Sequence, residues 1–567
     1  MFYSRNKAGA QSRRYKYGTD DGAGDSLRGR VLLRMLPFLL AFVAGVAQQP
    51  DQSAPAPART WRISGKVVDA RSGQALARCV VEINPTTARN RSLSTETGDD
   101  GRFVFDGLAL GKYQLSAAGR GYLTQSYQEH ESFSTAVAVG PELKSEGLLF
   151  NLMPQAIFYG AVTDEAGEPV RRAQVQLFED RDRDGVRSTQ QRQTVSTDDR
   201  GMYEIPNIAP ANYFLSVSAQ PWYARGMSGR MMDTTERLAQ ETTSELDVAY
   251  PTTFYPNATD SEEATPIPIK GGERIEIDVT LIAQHAMRLR LSVPRDEQGH
   301  FGVSLTRSVF GQAEQVTTGM QMSRDGVLEV DGVLPGRYDV TLTTYAGNHP
   351  EATHFTAEVA SGATQLSEEG AADEVSVAGK VISLDSKIPS GGISLVSTHP
   401  RQNYNGRINE AGEFSMKVPP GAYEVIGQIP RMYLASVASP NAPVKGRMLE
   451  AKSGDAPRLE IIAGAGWGQI DGLAELAGHA ASGVMVVLAP EDAKDNQILF
   501  RRDQSDSDGT FSLFNIIPGR YRLLAIDGGW ELAWADPNVL AAFLKKSIPI
   551  QIRANEKLKQ TIVVQSR

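Results

Sequence analysis

The sequence predicts an all-β protein, a tandem array of about five β-sandwich domains behind an N-terminal export segment. Two observations carry the sandwich reading. The first is a motif present five times, in which an acidic or polar turn and a Gly lead into alternating apolar residues, a second turn and a Tyr. Its copies are DDGRFVFDGLALGKYQL (99–115), DRGMYEIPNIAPANYFL (199–215), RDGVLEVDGVLPGRYDV (324–340), EAGEFSMKVPPGAYEV (410–425) and SDGTFSLFNIIPGRYRL (507–523). The second is the spacing from turn Gly to Tyr. It is 12 in Gly101–Tyr113, Gly201–Tyr213, Gly326–Tyr338 and Gly509–Tyr521, and 11 in Gly412–Tyr423. Self-similarity at a held spacing marks a repeat architecture.

Each part of the motif has a physical reason. Asp-Gly or a relative supplies the positive φ of a tight hairpin turn. Phe103/Phe105, Val327/Glu329 and Phe511/Leu513 follow at the period of two that a strand requires. A second turn closes at Pro335-Gly336, Pro420-Gly421 and Pro518-Gly519. The Tyr then opens another strand, with Leu115, Leu215, Val340, Val425 and Leu523 on its face. Upstream, four copies carry a strand containing Gly: SGKVVD (64–69), YGAVTD (159–164), AGKVIS (378–383) and DGLAEL (471–476). A further strand follows in CVVEI (79–83), AQVQLF (173–178), GISLV (392–396) and VMVVLA (484–489). Segments 134–152, 264–281 and 548–565 each read as strand, turn, strand. Short strands with turns at regular spacing make a sandwich.

The units fall at 61–153, 154–284, 285–374, 375–463 and 464–567. The third is divergent, because its opening strand MRLRLSV (287–293) lacks the Gly. The best helical segment, 225–248, reads as an insertion loop in the second unit with room for one helical turn.

The first 47 residues read as an address. A basic stretch precedes the apolar run Met35–Ala47, with small residues Ala44, Gly45 and Ala47 at its exit. That order predicts a signal peptide cut after Ala47. An uncleaved type II signal anchor is the alternative, although the run is short for a span of about 20 residues. The length of the leader also fits a start at Met35. Residues 48–60 then form a Pro/Ala linker. The expected location is the periplasm, the outer surface or the medium, or the inner membrane if the anchor is kept. Net charge is −9, yet residues 1–60 hold nine Lys/Arg against four Asp/Glu, so the body is more acidic still. An acidic body argues against nucleic acid and against membrane binding other than through an uncleaved leader. A single Cys, Cys79, excludes an intramolecular disulfide framework.

Taken together, the pattern G-x-V-x-D, V-x-L, G-x-F-x-F and P-G-x-Y-x-L resembles the carboxypeptidase regulatory-like domain. The resemblance is clearest at 61–153, 154–284 and 464–567. It implies a transthyretin-like (prealbumin-like) or Ig-like sandwich, grouped with carbohydrate-binding-like folds. It leaves activity open, since such modules accompany metallocarboxypeptidases, outer-membrane receptors and envelope proteins alike.

A peptidase would need zinc ligands. None of the seven His lies in H-E-x-x-H or an equivalent spacing. His349 and His354 are the nearest cluster, on a Pro-containing segment read as a loop. No G-x-S-x-G elbow is present, and Cys79 sits in an apolar strand. The expectation is therefore a protein that is not an enzyme. One motif has metal character: Asp180, Asp182 and Asp184 with Gly185 form D-x-D-x-D-G, a supply of hard oxygens for Ca²⁺. It resembles the calcium loops of sandwich repeats in Gram-positive surface adhesins. Its twelfth position is Gln191 rather than Glu, and Arg181, Arg183 and Arg187 dilute the charge, so a solvated hairpin is the competing reading. The other Asp-Gly turns, such as Asp506-x-Asp508-Gly509, read as turn chemistry alone.

Aromatic residues supply the remaining candidate. Trp222, Tyr223, Tyr250, Phe254 and Tyr255 fall in loops of the second unit, and Trp530 and Trp534 in the fifth. Such rings either stack on a sugar face or cover the open end of a core. The functional expectation is an exported, non-catalytic array at a bacterial cell envelope, carbohydrate-binding or adhesive and structural. Its partner would be an envelope polysaccharide or protein. The alternative is an accessory subunit of an envelope enzyme or transporter, a carboxypeptidase-associated role being implied by resemblance alone.

Overall fold

The computed structural model describes residues 60–566, apart from 88–90, 184–185, 225–244, 293–299, 317–318, 323–326, 347–348, 361–363, 367–373, 385–388 and 399–400. The leader and most of the insertion 225–248 lie outside the described residues.

Five two-sheet sandwiches follow one another. In sandwich 1 the smaller sheet orders Arg102–Leu108, Trp61–Asp69 and Leu148–Leu152, with the opening strand in the middle. The larger sheet is built on Val80–Pro85 and Gly111–Ala118. The opening strand pairs antiparallel with the motif hairpin and parallel with the closing strand. The same arrangement recurs at Ala156–Thr163, Met287–Ser292, Val375–Ser383 and Gly468–Leu476. A parallel pair at the two ends of a domain requires the chain between them to cross to the other sheet and return. Alternation places Phe103, Phe105 and Leu108 inside, between exposed neighbours.

The motif Tyr is buried in every sandwich: Tyr113, Tyr213, Tyr338, Tyr423 and Tyr521 are 1–7% exposed. Each hydroxyl donates back to the carbonyl four residues earlier, at Ala109 (3.0 Å), Ala209 (2.9 Å), Leu334 (2.9 Å), Pro419 (2.5 Å) and Ile517 (2.6 Å). One ring fills the core and one bond fixes the second turn. Burial pushes the Tyr521 phenol up to about 12.

The strand Gly is explained by its two neighbours, an aromatic ring across the antiparallel pair at Gly65, Gly379 and Gly472 and a carbonyl of the parallel closing strand, which alone crowds Gly160. Gly65, Gly160, Gly379 and Gly472 stand opposite Phe103, Tyr203, Phe414 and Phe511. A Cβ on Gly472 would lie 2.2 Å from the Phe511 ring and 2.5 Å from the Gln560 carbonyl oxygen. In sandwich 3, which lacks the Gly, Leu291 faces Leu328 at the corresponding pair. A small-plus-aromatic pair has been exchanged for two medium side chains of comparable summed size, which cores accept.

Sandwich 5 also carries what the sequence reading did not anticipate. Its strand Met485–Pro490 is buried on both faces. The helix Pro537–Leu544 and Trp534 cover the outer face, forming a second core with Met485, Val487, Leu524, Ile526 and Leu540. Asp536 caps the helix by accepting from the Asn538 N–H at 2.8 Å, with Pro537 in the first turn.

The same sandwich half-buries Asp503, whose carboxylate accepts from the Ser512 N–H at 2.7 Å. Burial pushes its pKa up to about 6, and Asp506 adds to the rise, while the Ser512 and Gln504 amides and Lys112 oppose it. A carboxyl raised in the folded state penalises the fold when ionised. Its cost is therefore full above pH 6 and disappears as pH falls towards 4. Asp503→Asn, which keeps the acceptor, is expected to raise the melting temperature at pH 8 by several degrees. The gain should shrink to about half at pH 5 and be nearly gone at pH 4. Calorimetry across that range checks it, and a gain independent of pH would show that ionisation is not the cause.

The sandwiches meet through specific joints. Arg71 Nη1 of sandwich 1 donates to the Gly271 carbonyl of sandwich 2 at 2.6 Å and pairs with Glu273. Phe310, at a hairpin tip of sandwich 3, packs against Phe178, Phe214 and Phe254 of sandwich 2. Its neighbour Gly311 accepts from the Arg401 N–H of sandwich 4 at 3.3 Å. Sandwich 4 meets sandwich 5 through the Arg447 N–H to Asp495 carbonyl bond, 3.2 Å, and Tyr433 edge-on to Trp467. Sandwich 5 in turn contacts sandwich 1, where Arg502 pairs with Glu131. The Asp506 turn, read from the sequence as turn chemistry alone, belongs to this last joint. Its Oδ1 accepts from the Ala136 N–H at 2.9 Å.

Candidate functional site

The five loop aromatics of sandwich 2 do not share one surface. Trp222 is 82% exposed, on a turn closed by the Ala224 N–H to Pro221 carbonyl bond. Tyr223 meets it edge-on, with ring centres 5.8 Å apart at 89°. The Tyr223 hydroxyl donates to Glu165 Oε1 at 2.9 Å and accepts from Tyr250. Burial raises the pKa of both phenols; the bond to Glu165 adds to it at Tyr223, where the bond from Tyr250 opposes it, and the bond to Tyr223 adds to it at Tyr250. The two tyrosine rings are thus held in place by a Tyr250–Tyr223–Glu165 chain.

The other two candidates are corrected. Phe254 is 1% exposed, its ring taken by the joint with Phe310 and Arg307 of sandwich 3. Tyr255 packs against the sandwich 2 core. Tyr250, at 7% exposed, supports Tyr223 from below rather than presenting a face. Of the two readings open for these loops, Phe254 and Tyr255 follow the second, being covered by a neighbouring domain or by their own core. Trp530 and Trp534 are also occupied. Trp530 stacks on His130 of sandwich 1 at 5.0 Å and 9°, and Trp534 is 5% exposed.

Glu165 was missed. It lies in the exposed turn Asp164–Gly167 after the opening strand, where the Asp164 carboxylate accepts from the Ala166 and Glu168 N–H groups. An acidic turn residue carries no mark of its own, and only the fold brings it to Trp222. The group combines an open indole face with a carboxylate and a phenol. A pyranose needs that pair of features, an apolar face for its C–H groups and acceptors for its hydroxyls.

The acidic motif is a strand pair rather than a wrapped loop. Gln174–Arg183 and Val186–Ser196 form one hairpin, with Asp180 opposite Thr189 and Asp182 opposite Arg187. Asp180 is bound by Arg187 through Nη2 at 2.8 Å and Nε at 3.3 Å. Asp184 and Gly185 lie outside the described residues. A Ca²⁺ ion at Asp180 would have to displace Arg187.

His354 lies in a strand, His349–Val359, and not in a loop. It is hydrogen-bonded to Thr341 Oγ1 at 3.1 Å, and burial lowers its pKa. Cys79 is 2% exposed and burial raises its pKa, which suits a packing role.

Similar proteins were found at two levels. Among solved structures, a streptococcal ancillary pilin is 12% identical, with 49% of this chain and 99% of that chain covered at a TM-score of 0.18. A minor pilin of Streptococcus agalactiae is 10% identical, with 42% and 99% covered at 0.20. The TIE protein of Bacillus anthracis is 11% identical, with 70% and 68% covered at 0.14. These values are too low to transfer a role. No curated protein matches the sequence. The carboxypeptidase regulatory-like domain family matches residues 62–140 and 158–236, within the first two sandwiches. The chain carries the carboxypeptidase regulatory-like domain in two tandem copies.

Proposed function

We propose that the protein is an exported, non-catalytic array of sandwich modules that binds a cell-envelope polysaccharide through the loop end of sandwich 2. The observation that supports it is the open face of Trp222 beside the Tyr223–Glu165 pair, on a domain that matches the carboxypeptidase regulatory-like family. The basic leader and the Met35–Ala47 run support export. Among the described residues no helix is long and apolar enough to cross a membrane.

Retention of the mature chain on envelope polysaccharide tests the reading. Trp222→Ala is expected to weaken retention about tenfold, the loss of about 1.4 kcal/mol of stacking. Glu165→Gln should weaken it less, and neither change should shift the melting temperature by more than a degree or two. Unchanged retention in the Trp222→Ala, Glu165→Gln double variant would remove the site.

A further inference from the structure

The contact between sandwiches 1 and 5 is the most elaborate joint in the protein. At its centre the Arg502 guanidinium forms a fork with Glu131, Nη1 to Oε1 at 2.9 Å and Nη2 to Oε2 at 2.6 Å. The two side chains are 4% and 13% exposed. The same guanidinium lies over Phe133 of sandwich 1 and over Trp530 and Trp534 of sandwich 5, at 5.1, 5.6 and 4.4 Å from the ring centres. Beside it Gln504, 2% exposed, donates to the Gln128 carbonyl and to Thr135 Oγ1, and its Oε1 meets His130 Nδ1. The turn that follows pairs with the chain of sandwich 1. The Ser507 N–H donates to the Ala136 carbonyl at 3.0 Å, and Ser507 Oγ accepts from the Ala138 N–H at 2.8 Å. Lys112 completes the joint with Asp506 at 2.6 Å and Asp508 at 3.2 Å.

Three properties make this surface more than a packing accident. Charges cross it in both directions, Arg502 to Glu131 and Lys112 to Asp506, which fixes one orientation. The docking loop of sandwich 1 holds Gln128 and Glu131 at positive φ, +50° and +56°, a strained shape for residues with a Cβ. The two halves are also different surfaces, 371 residues apart at the central pair. A contact between unlike surfaces either closes on itself or passes from one molecule to the next.

The path that joins the halves runs through sandwiches 2, 3 and 4. Among the described residues sandwiches 3 and 4 meet through the 3.3 Å Gly311–Arg401 bond, its neighbouring bridge at Gln312 and the His354–Tyr404 edge contact at 6.1 Å. Opening there leaves both halves of the 1–5 joint intact. We propose that this joint is a self-recognition surface: sandwich 5 docks on sandwich 1 of its own chain, and after opening it docks on sandwich 1 of a second copy. The partner is thus another molecule of this chain, joined head to tail by exchange.

Paired cysteines in the full chain, with Cys79→Ala as background, test it. Gln128→Cys and Ser482→Cys, an exposed pair across the joint, should in one chain be joined by a short bismaleimide within the monomer. Gln128→Cys and Ser482→Cys placed on separate chains are mixed at high concentration, taken through mild denaturant and returned. The mixture should then yield a covalent dimer well above the level either variant gives alone. Adding Glu131→Gln and Arg502→Leu should lower both yields at least tenfold, while circular dichroism confirms folded domains. Internal cross-linking without mixed dimers would overturn exchange, and failure of the internal cross-link would overturn the joint itself.

Discussion

Gly472→Ala is expected to destabilise sandwich 5 by about 3 kcal/mol, the upper part of the range for overpacking a strand interior. The new methyl group would meet the Phe511 ring at 2.2 Å and the Gln560 carbonyl at 2.5 Å, and the backbone oxygen cannot rotate away. Phe511→Leu in the same chain should recover part of the loss, about 1 kcal/mol, because it removes the first obstacle and recreates the Leu291–Leu328 solution of sandwich 3. Urea denaturation of the four members of the cycle reads the coupling. Strict additivity would mean that the Gly is not there for the aromatic ring.

Tyr521→Ala should cost more, about 4 kcal/mol, as for other large aromatic truncations in a closed core. In a domain of this size that lowers the melting temperature by about 15 °C or more. Tyr521→Phe isolates the hydroxyl. It keeps the ring and leaves the Ile517 carbonyl without its 2.6 Å donor, a loss of about 1 kcal/mol. Lys545→Ala, a surface change, should move the transition little. Equal melting of Tyr521→Ala and Lys545→Ala would contradict the role of the repeated Tyr.

The fold was legible where side chains repeat. Gly-to-Tyr spacing marked the hairpin and the buried ring in all five units, because both depend on residue identity. The return of each hydroxyl to a carbonyl four residues back was not legible. A backbone acceptor has no letter, and Ala109, Ala209, Leu334, Pro419 and Ile517 share little. The missing Gly of the third unit looked like divergence until Leu328 was seen in the place of the aromatic. VMVVLA carried a signal that was available, since a strand without alternation is one covered on both faces. Trp222 is exposed, as a stacking platform requires, whereas Phe254 is not. Nothing local distinguishes a loop that faces solvent from one that receives Phe310 of the next domain.

The joints also bear on how the chain can vary. Hairpin tips are ordinarily where a protein accepts extra residues at little cost. Here the tip at Val309–Gln312 places Phe310 in sandwich 2 and offers the Gly311 carbonyl to sandwich 4, and the tip at Ser505–Thr510 grips sandwich 1. Lengthening either by one residue would shift its anchors out of register, with sandwiches 2 and 4 at the first tip and with sandwich 1 at the second. These two turns are therefore closed to insertion, and length variation in this architecture falls to turns that touch no neighbouring sandwich.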